Sequence, residues 1–173
     1  MANILNPRRF KQSLEKNVKR SMTRIGVFGQ SEIVDAIDRK TFAPNAPLTV
    51  ALKGHSTPLV GEAPGALRQS IDFDVPKWNI VDIGVLRRRT QPGEDGKPDD
   101  VMDIAAAVHE GSTIKVTEKM RLFFAAIGHP LNPATTVIVV PGRPFLRVLL
   151  SRRSISFMKR EWEKAVQAAV SGR

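Results

Sequence analysis

The chain has 173 residues, with 27 Lys or Arg against 17 Asp or Glu for a formal net charge of +10, and it has no cysteine. That length fits a single domain, residues 1–173, able to bury a core without covalent staples. The missing cysteine excludes disulfides, thiolate metal sites, iron–sulfur clusters and cysteine nucleophiles. A reducing compartment is allowed. No apolar run approaches the roughly 18–20 residues that span a bilayer, and the charged stretch that follows Met1–Arg9 is not what a secretory signal needs.

The charge is uneven. Residues 1–40 carry +5, residues 41–142 carry −1 and residues 143–173 carry +6. A basic excess points to an acidic partner, either nucleic acid or protein. The balanced middle fits two basic arms on a neutral body better than a DNA-binding core.

In chain order, Phe10, Leu14, Val18, Met22 and Ile25 recur at helical spacing and predict an amphipathic helix. Pro7 stands in its first turn and Asn6 at its cap. Gly26 and Gly29 are expected to weaken or break it, with Ser31 capping a second stretch through Ile33, Val34 and Ile37. Residues 1–42 thus form an N-terminal helical region. Residues 43–65, with four Pro and three Gly, read as an extended arm. It is longer than an ordinary connection, and so a candidate for reaching a neighbouring subunit.

Leu67 to Val75 reads as a helical turn passing into a strand, with Ile71, Phe73 and Val75 alternating with Asp72 and Asp74. Ile80, Val81, Ile83 and Val85 form a second, antiparallel strand across a turn at 76–79. Residues 87–100 hold Arg87, Arg88 and Arg89 and then a Pro, Gly and acidic stretch, read as a solvated mobile loop. Asp99 or Asp100 can cap a helix from about Val101 to His109. A short strand at Thr113–Thr117 and a helix through Met120, Phe123, Phe124 and Ile127 follow, ended by Gly128. The β-branched run Thr135–Val140 predicts a central strand buried on both faces. Pro144 opens a last helical region, 143–173, interrupted near Ser151–Ser154. It resumes with Ile155, Met158, Trp162, Val166 and Ala169 as its inward stripe. The fold class expected is α+β: a small, mainly antiparallel sheet within an α/β core at 66–142, flanked by N- and C-terminal amphipathic helices, with an extended Pro/Gly-rich arm.

Catalytic signals are weak. His109-Glu110 opens like a zinc-protease helix, but no second His follows four residues on. His55 and His129 are far away in sequence, so a metal site lacks converging ligands. Asp99, Asp100 and Asp103 could gather a divalent cation in the manner of a nuclease, yet helix capping explains them as well. There is no phosphate loop and no nucleophile elbow. We therefore expect no enzyme and no cofactor. Arg87, Arg88 and Arg89 can grip phosphate or an acidic neighbour or stay as exposed charges worth little. Without Tyr, and with its few aromatics read as core, the chain offers no base-stacking platform.

Several short motifs occur in a telling order. They are Asn45-Ala-Pro-Leu-Thr-Val-Ala-Leu-Lys-Gly54, Thr57-Pro-Leu-Val60, Gly65-Ala-Leu-Arg-Gln-Ser-Ile71, Ala105-Ala-Ala-Val-His-Glu-Gly111 and Ile138-Val-Val-Pro-Gly-Arg-Pro-Phe-Leu146. Together, over about residues 45–146, they resemble the tailed-phage virion morphogenesis family of tail completion and head–tail joining (neck) proteins. Glu62-Ala-Pro-Gly65 replaces the family's Asp-Thr-Gly, and Pro141-Gly-Arg143 its Pro-Ala-Arg.

The resemblance implies a tail-terminator-like structural subunit that assembles into a ring, a hexamer, at the head-proximal end of the tail. Its neighbours would be neck, connector and tail tube proteins, with passing DNA within reach. It would reside at the head–tail junction of the virion, and in the host cytoplasm during assembly. The interface candidates are Leu48, Thr49, Lys53, Pro58 and Leu59 of the arm, Arg87, Arg88 and Arg89 of the loop, and Glu110 and Arg143. For Arg143 the alternatives are a pairing with a carboxylate such as Glu110 or a contact across an interface, while Phe145 is expected in the core. The rival reading is a sequence-independent basic DNA-binding protein.

Overall fold

A computed structural model describes residues 6–39, 42, 44, 50, 66–86, 90–92 and 98–171. Helix α1 (Pro7–Asp38) starts as the sequence predicts: Asn6 Oδ1 accepts from the backbone N–H of Arg8 at 3.0 Å and of Arg9 at 3.4 Å. It does not stop at Gly26 or Gly29 and runs unbroken for 32 residues, with Ser31 inside it rather than at a cap. The glycines are points of close approach. A Cβ at Gly26 would lie 2.6 Å from Cγ of Phe73, and one at Gly29 would lie 2.7 Å from Cδ1 of Ile83. The cost of each glycine in a helix, about 1 kcal/mol, is offset by the packing it permits.

The short helix α2 (Ala66–Ser70) leads into β1 (Ile71–Lys77), which pairs antiparallel with β2 (Ile80–Val85). Ile71 faces Val85 and Phe73 faces Ile83, and the register shifts between Asp74 and Lys77, around Pro76. A proline cannot donate to a ladder and is tolerated at such an irregularity. Gln30 Nε2 of α1 donates to the Ile71 carbonyl at 2.9 Å. At the far end of α1, Arg68 of α2 grips Asp38 in a two-pronged pair of 2.7 and 2.8 Å. That bond holds the Asp38 carboxyl below its ordinary range.

Within the stretch read as a mobile loop, β3 (Thr90–Pro92) and β4 (Pro98–Asp100) pair antiparallel. Helix α3 (Val101–Glu110) follows, then β5 (Ser112–Lys115), helix α4 (Glu118–Ala126) and β6 (Val137–Val140). A 3₁₀ turn (Phe145–Leu150) and helix α5 (Arg152–Val170) close the chain. The predicted interruption is the junction of these two, where Ser151 caps α5 by accepting from the Ser154 N–H at 3.1 Å.

The class is α+β and every described ladder is antiparallel. The ladders do not join into one sheet: β1–β2, β3–β4 and β5–β6 are separate two-stranded pairs. Strand β6 is not central. Among the described residues it pairs with β5 alone, and Val139 is 66% exposed.

Helix α1 is the spine of the core. One apolar cluster gathers Ile33, Ile37, Leu67, Ile71, Ala105 and Phe145. A second gathers Val18, Met22, Ile25 and Ala165, with Val75, Val81 and Ile83 of the hairpin packed on it. Phe145 is 1% exposed, in the core as expected. Helix α5 keeps part of its predicted stripe: Ala169 is buried and Met158 packs on the second cluster, but Ile155 and Trp162 are exposed, and Ser154, Glu161 and Ala165 are buried instead. The cause is close contact with α1, where Ser21 Oγ donates to the Glu161 carbonyl at 2.9 Å. Small side chains fit that gap, and an indole does not.

Candidate functional site

The two sequence motifs 105–111 and 138–146 meet in space. The Arg143 N–H donates to the Val108 carbonyl at 2.8 Å, and His109 stands edge-on to the Phe145 ring at 5.3 Å. Between them Gly111 crosses Gly142. A Cβ on Gly111 (φ +82°) would lie 2.6 Å from the Gly142 N, and one on Gly142 would lie 2.7 Å from the Glu110 carbonyl oxygen. Both positions need glycine, because backbone meets backbone there. Arg143 is 8% exposed and its Nη2 reaches the Pro44 carbonyl at 3.5 Å. Burial lowers its pKa. Glu110 is exposed, and no ion pair joins it to Arg143 among the described residues.

This crossing is the root of a tongue formed by β5, α4 and β6. The tongue is internally braced. Thr117 caps α4 by accepting from the Met120 N–H at 3.3 Å. Arg121 donates to three carbonyls of the returning chain, Asn132 at 3.1 Å, Pro133 at 3.2 Å and Thr135 at 2.6 Å. Yet α4 has no buried residue, and Ile114, Leu122, Phe123, Val137 and Val139 all stand exposed.

A second surface lies along α1 and α5. The Glu161 carboxylate is buried and accepts from Lys164 Nζ at 2.6 Å and Arg24 Nη1 at 3.3 Å. The Lys164 bond foremost, then Arg24, hold its pKa below the ordinary carboxylate value against the opposing effect of burial. Beside it Phe28 of α1 and Phe157 of α5 stack with centroids 4.0 Å apart. The Arg153 and Arg160 guanidinium groups lie 6.0 and 5.8 Å over these rings. Arg153 also pairs with Glu32 at 3.2 Å. The open groove beside the stack, about 560 Å³, is lined by Thr23, Arg24, Val27, Phe28, Ser31, Phe157 and Glu161.

Leu48, Thr49, Lys53, Pro58, Leu59, Arg87, Arg88 and Arg89 lie outside the described residues. So do the side chains of Asp99 and Asp100, whose backbones pair with Gln91 and Thr90. Among the described residues no three His, Asp or Glu converge as metal ligands would. Sequence reasoning missed the crossing glycines, the Arg121 brace, and the roles of Arg24, Phe28, Phe157 and Glu161. For Glu161 a signal was present: it stands one turn from Ala165 and Phe157 on the α5 face that packs inward.

The arrangement presents surfaces for contact and no assembled catalytic group among the described residues. No protein-family model, curated protein or solved structure matches this chain.

Proposed function

We propose that this chain is a structural virion subunit that completes a phage tail and joins it to the head as a ring, performing no chemistry. The observation that carries the reading is the tongue. A two-stranded hairpin alone is marginal in water, and so is a nine-residue helix without tertiary packing. Here both are braced by Arg121 while their apolar side chains face solvent. Val137 and Val139 share one face of the hairpin, both exposed, and a large apolar surface left uncovered marks a protein-contact site. The ordered family-like motifs supply the rest, since two of them build the root from which the tongue projects.

Native mass spectrometry and negative-stain imaging of the purified chain test the reading. Closed rings of one stoichiometry are expected. A chain that stays monomeric at high concentration overturns it.

The basic helices support a second reading, sequence-independent DNA binding. Lys16, Lys19 and Arg20 of α1 and Lys159 and Arg160 of α5 are all exposed. Six to ten phosphate contacts would weaken binding by roughly 10³–10⁵ between 50 and 200 mM salt. Negligible binding at 50 mM removes this reading.

A further inference from the structure

The groove between α1 and α5 has an apolar floor and a basic rim. Val27 in it is 53% exposed. Arg24 and Arg153 each meet one carboxylate, Glu161 and Glu32, but both stay largely exposed, and a guanidinium fork carries further donors. Arg160 has no carboxylate partner among the described residues. Val27 and Ser31 project from the side of α1 opposite Gly26 and Gly29, the positions that meet the β1–β2 hairpin. The chain's own hairpin therefore cannot fill the groove.

That hairpin has the complementary chemistry. Its turn presents Trp78 and Ile80, 36% and 40% exposed. Behind the turn Asp74 lies directly opposite Asp82 in the register. Like charges facing each other across a ladder destabilise it. Among the described residues neither carboxylate has a cationic partner. Lys77 at the turn offsets only part of the charge.

We infer that the groove is occupied by the β1–β2 tip of a second copy of this chain. Trp78 lies against Phe28, Phe157 and Val27, and Asp74 and Asp82 face Arg153 and Arg160. The contact joins two different patches, so it is heterologous and propagates from copy to copy, closing as a ring if the rotation allows. A Trp anchor surrounded by Arg is the composition of an interface hot spot. The inference rests on the ring reading above and names the surfaces that would form it.

Two charge-reversed chains test it by sedimentation velocity and native mass spectrometry. One carries Asp74→Lys and Asp82→Lys, the other Arg153→Glu and Arg160→Glu. Each alone should lose assembly, with the apparent dissociation constant raised at least about tenfold, while keeping the wild-type circular dichroism. Mixed, they should regain it as alternating copies, because each reversed tip then meets a reversed groove. Trp78→Ala should weaken assembly without rescue. Reversed chains that assemble as wild type does, or that fail to rescue each other, overturn the hairpin–groove contact and leave the ring reading intact. A wild-type chain that is itself monomeric overturns both.

Discussion

Gly26 of α1 lies under the ring of Phe73, so close that a Cβ at position 26 would stand 2.6 Å from Cγ. Replacing a helical glycine by alanine ordinarily stabilises by about 1 kcal/mol. Here overpacking opposes that gain, at about 1–3 kcal/mol, and Gly26→Ala should come out destabilising. The sign of the change in a denaturant titration decides it, and a stabilised variant would mean that the ring moves aside freely.

Glu161 gives a pH dependence. Its folded pKa is held below the unfolded value by Lys164 and Arg24. The stability it contributes is present above the unfolded carboxylate range and is lost as pH falls through the lowered folded value. Unfolding free energy should therefore decline on acidification below about pH 4.3. Glu161→Gln should flatten this part of the profile and cost about 1–3 kcal/mol at pH 7. An unchanged slope would remove Glu161 as its source.

Phe145 and Trp162 should behave oppositely on truncation. Phe145→Ala empties a site 1% exposed and should cost about 3–5 kcal/mol. Trp162, 41% exposed, should cost under about 1 kcal/mol, in the range of surface substitutions. Thermal unfolding of the two variants gives the comparison directly.

Arg121→Ala should loosen the tongue and little else. Three carbonyls lose their donor, but no residue of β5, α4 or β6 is itself buried, so global stability should fall by no more than about 1 kcal/mol. Hydrogen exchange should quicken across residues 118–140 and stay unchanged in α1. Protection that survives there would mean that another contact holds the tongue.

Much of the fold is legible in the residues. The apolar spacing of α1, its Asn6 cap, the alternation of β1 and the Thr117 cap of α4 are local properties, because they depend on side chains a few positions apart. The candidate site is less so. The approach of Gly111 to Gly142 and the reach of Arg121 to Thr135 join positions that no local pattern links. Glycines at 26 and 29 carry opposite meanings in the two descriptions, breakers by propensity and contact points by packing.

The chain's own order of apolar and polar residues determined that it is α+β, that Val18, Met22, Ile25 and Phe145 leave water, and that its charge excess sits at the two ends. Only the tertiary structure decided what those faces meet. Burial of apolar surface is non-directional: a pattern says which side chains avoid water and leaves open against what. So α5 turned Trp162 outward once Ala165 and the Glu161 backbone had closed on α1. For the same reason the β-branched run at 135–140, which looks like the middle of a sheet, leaves Val137 and Val139 uncovered on the tongue of a single chain.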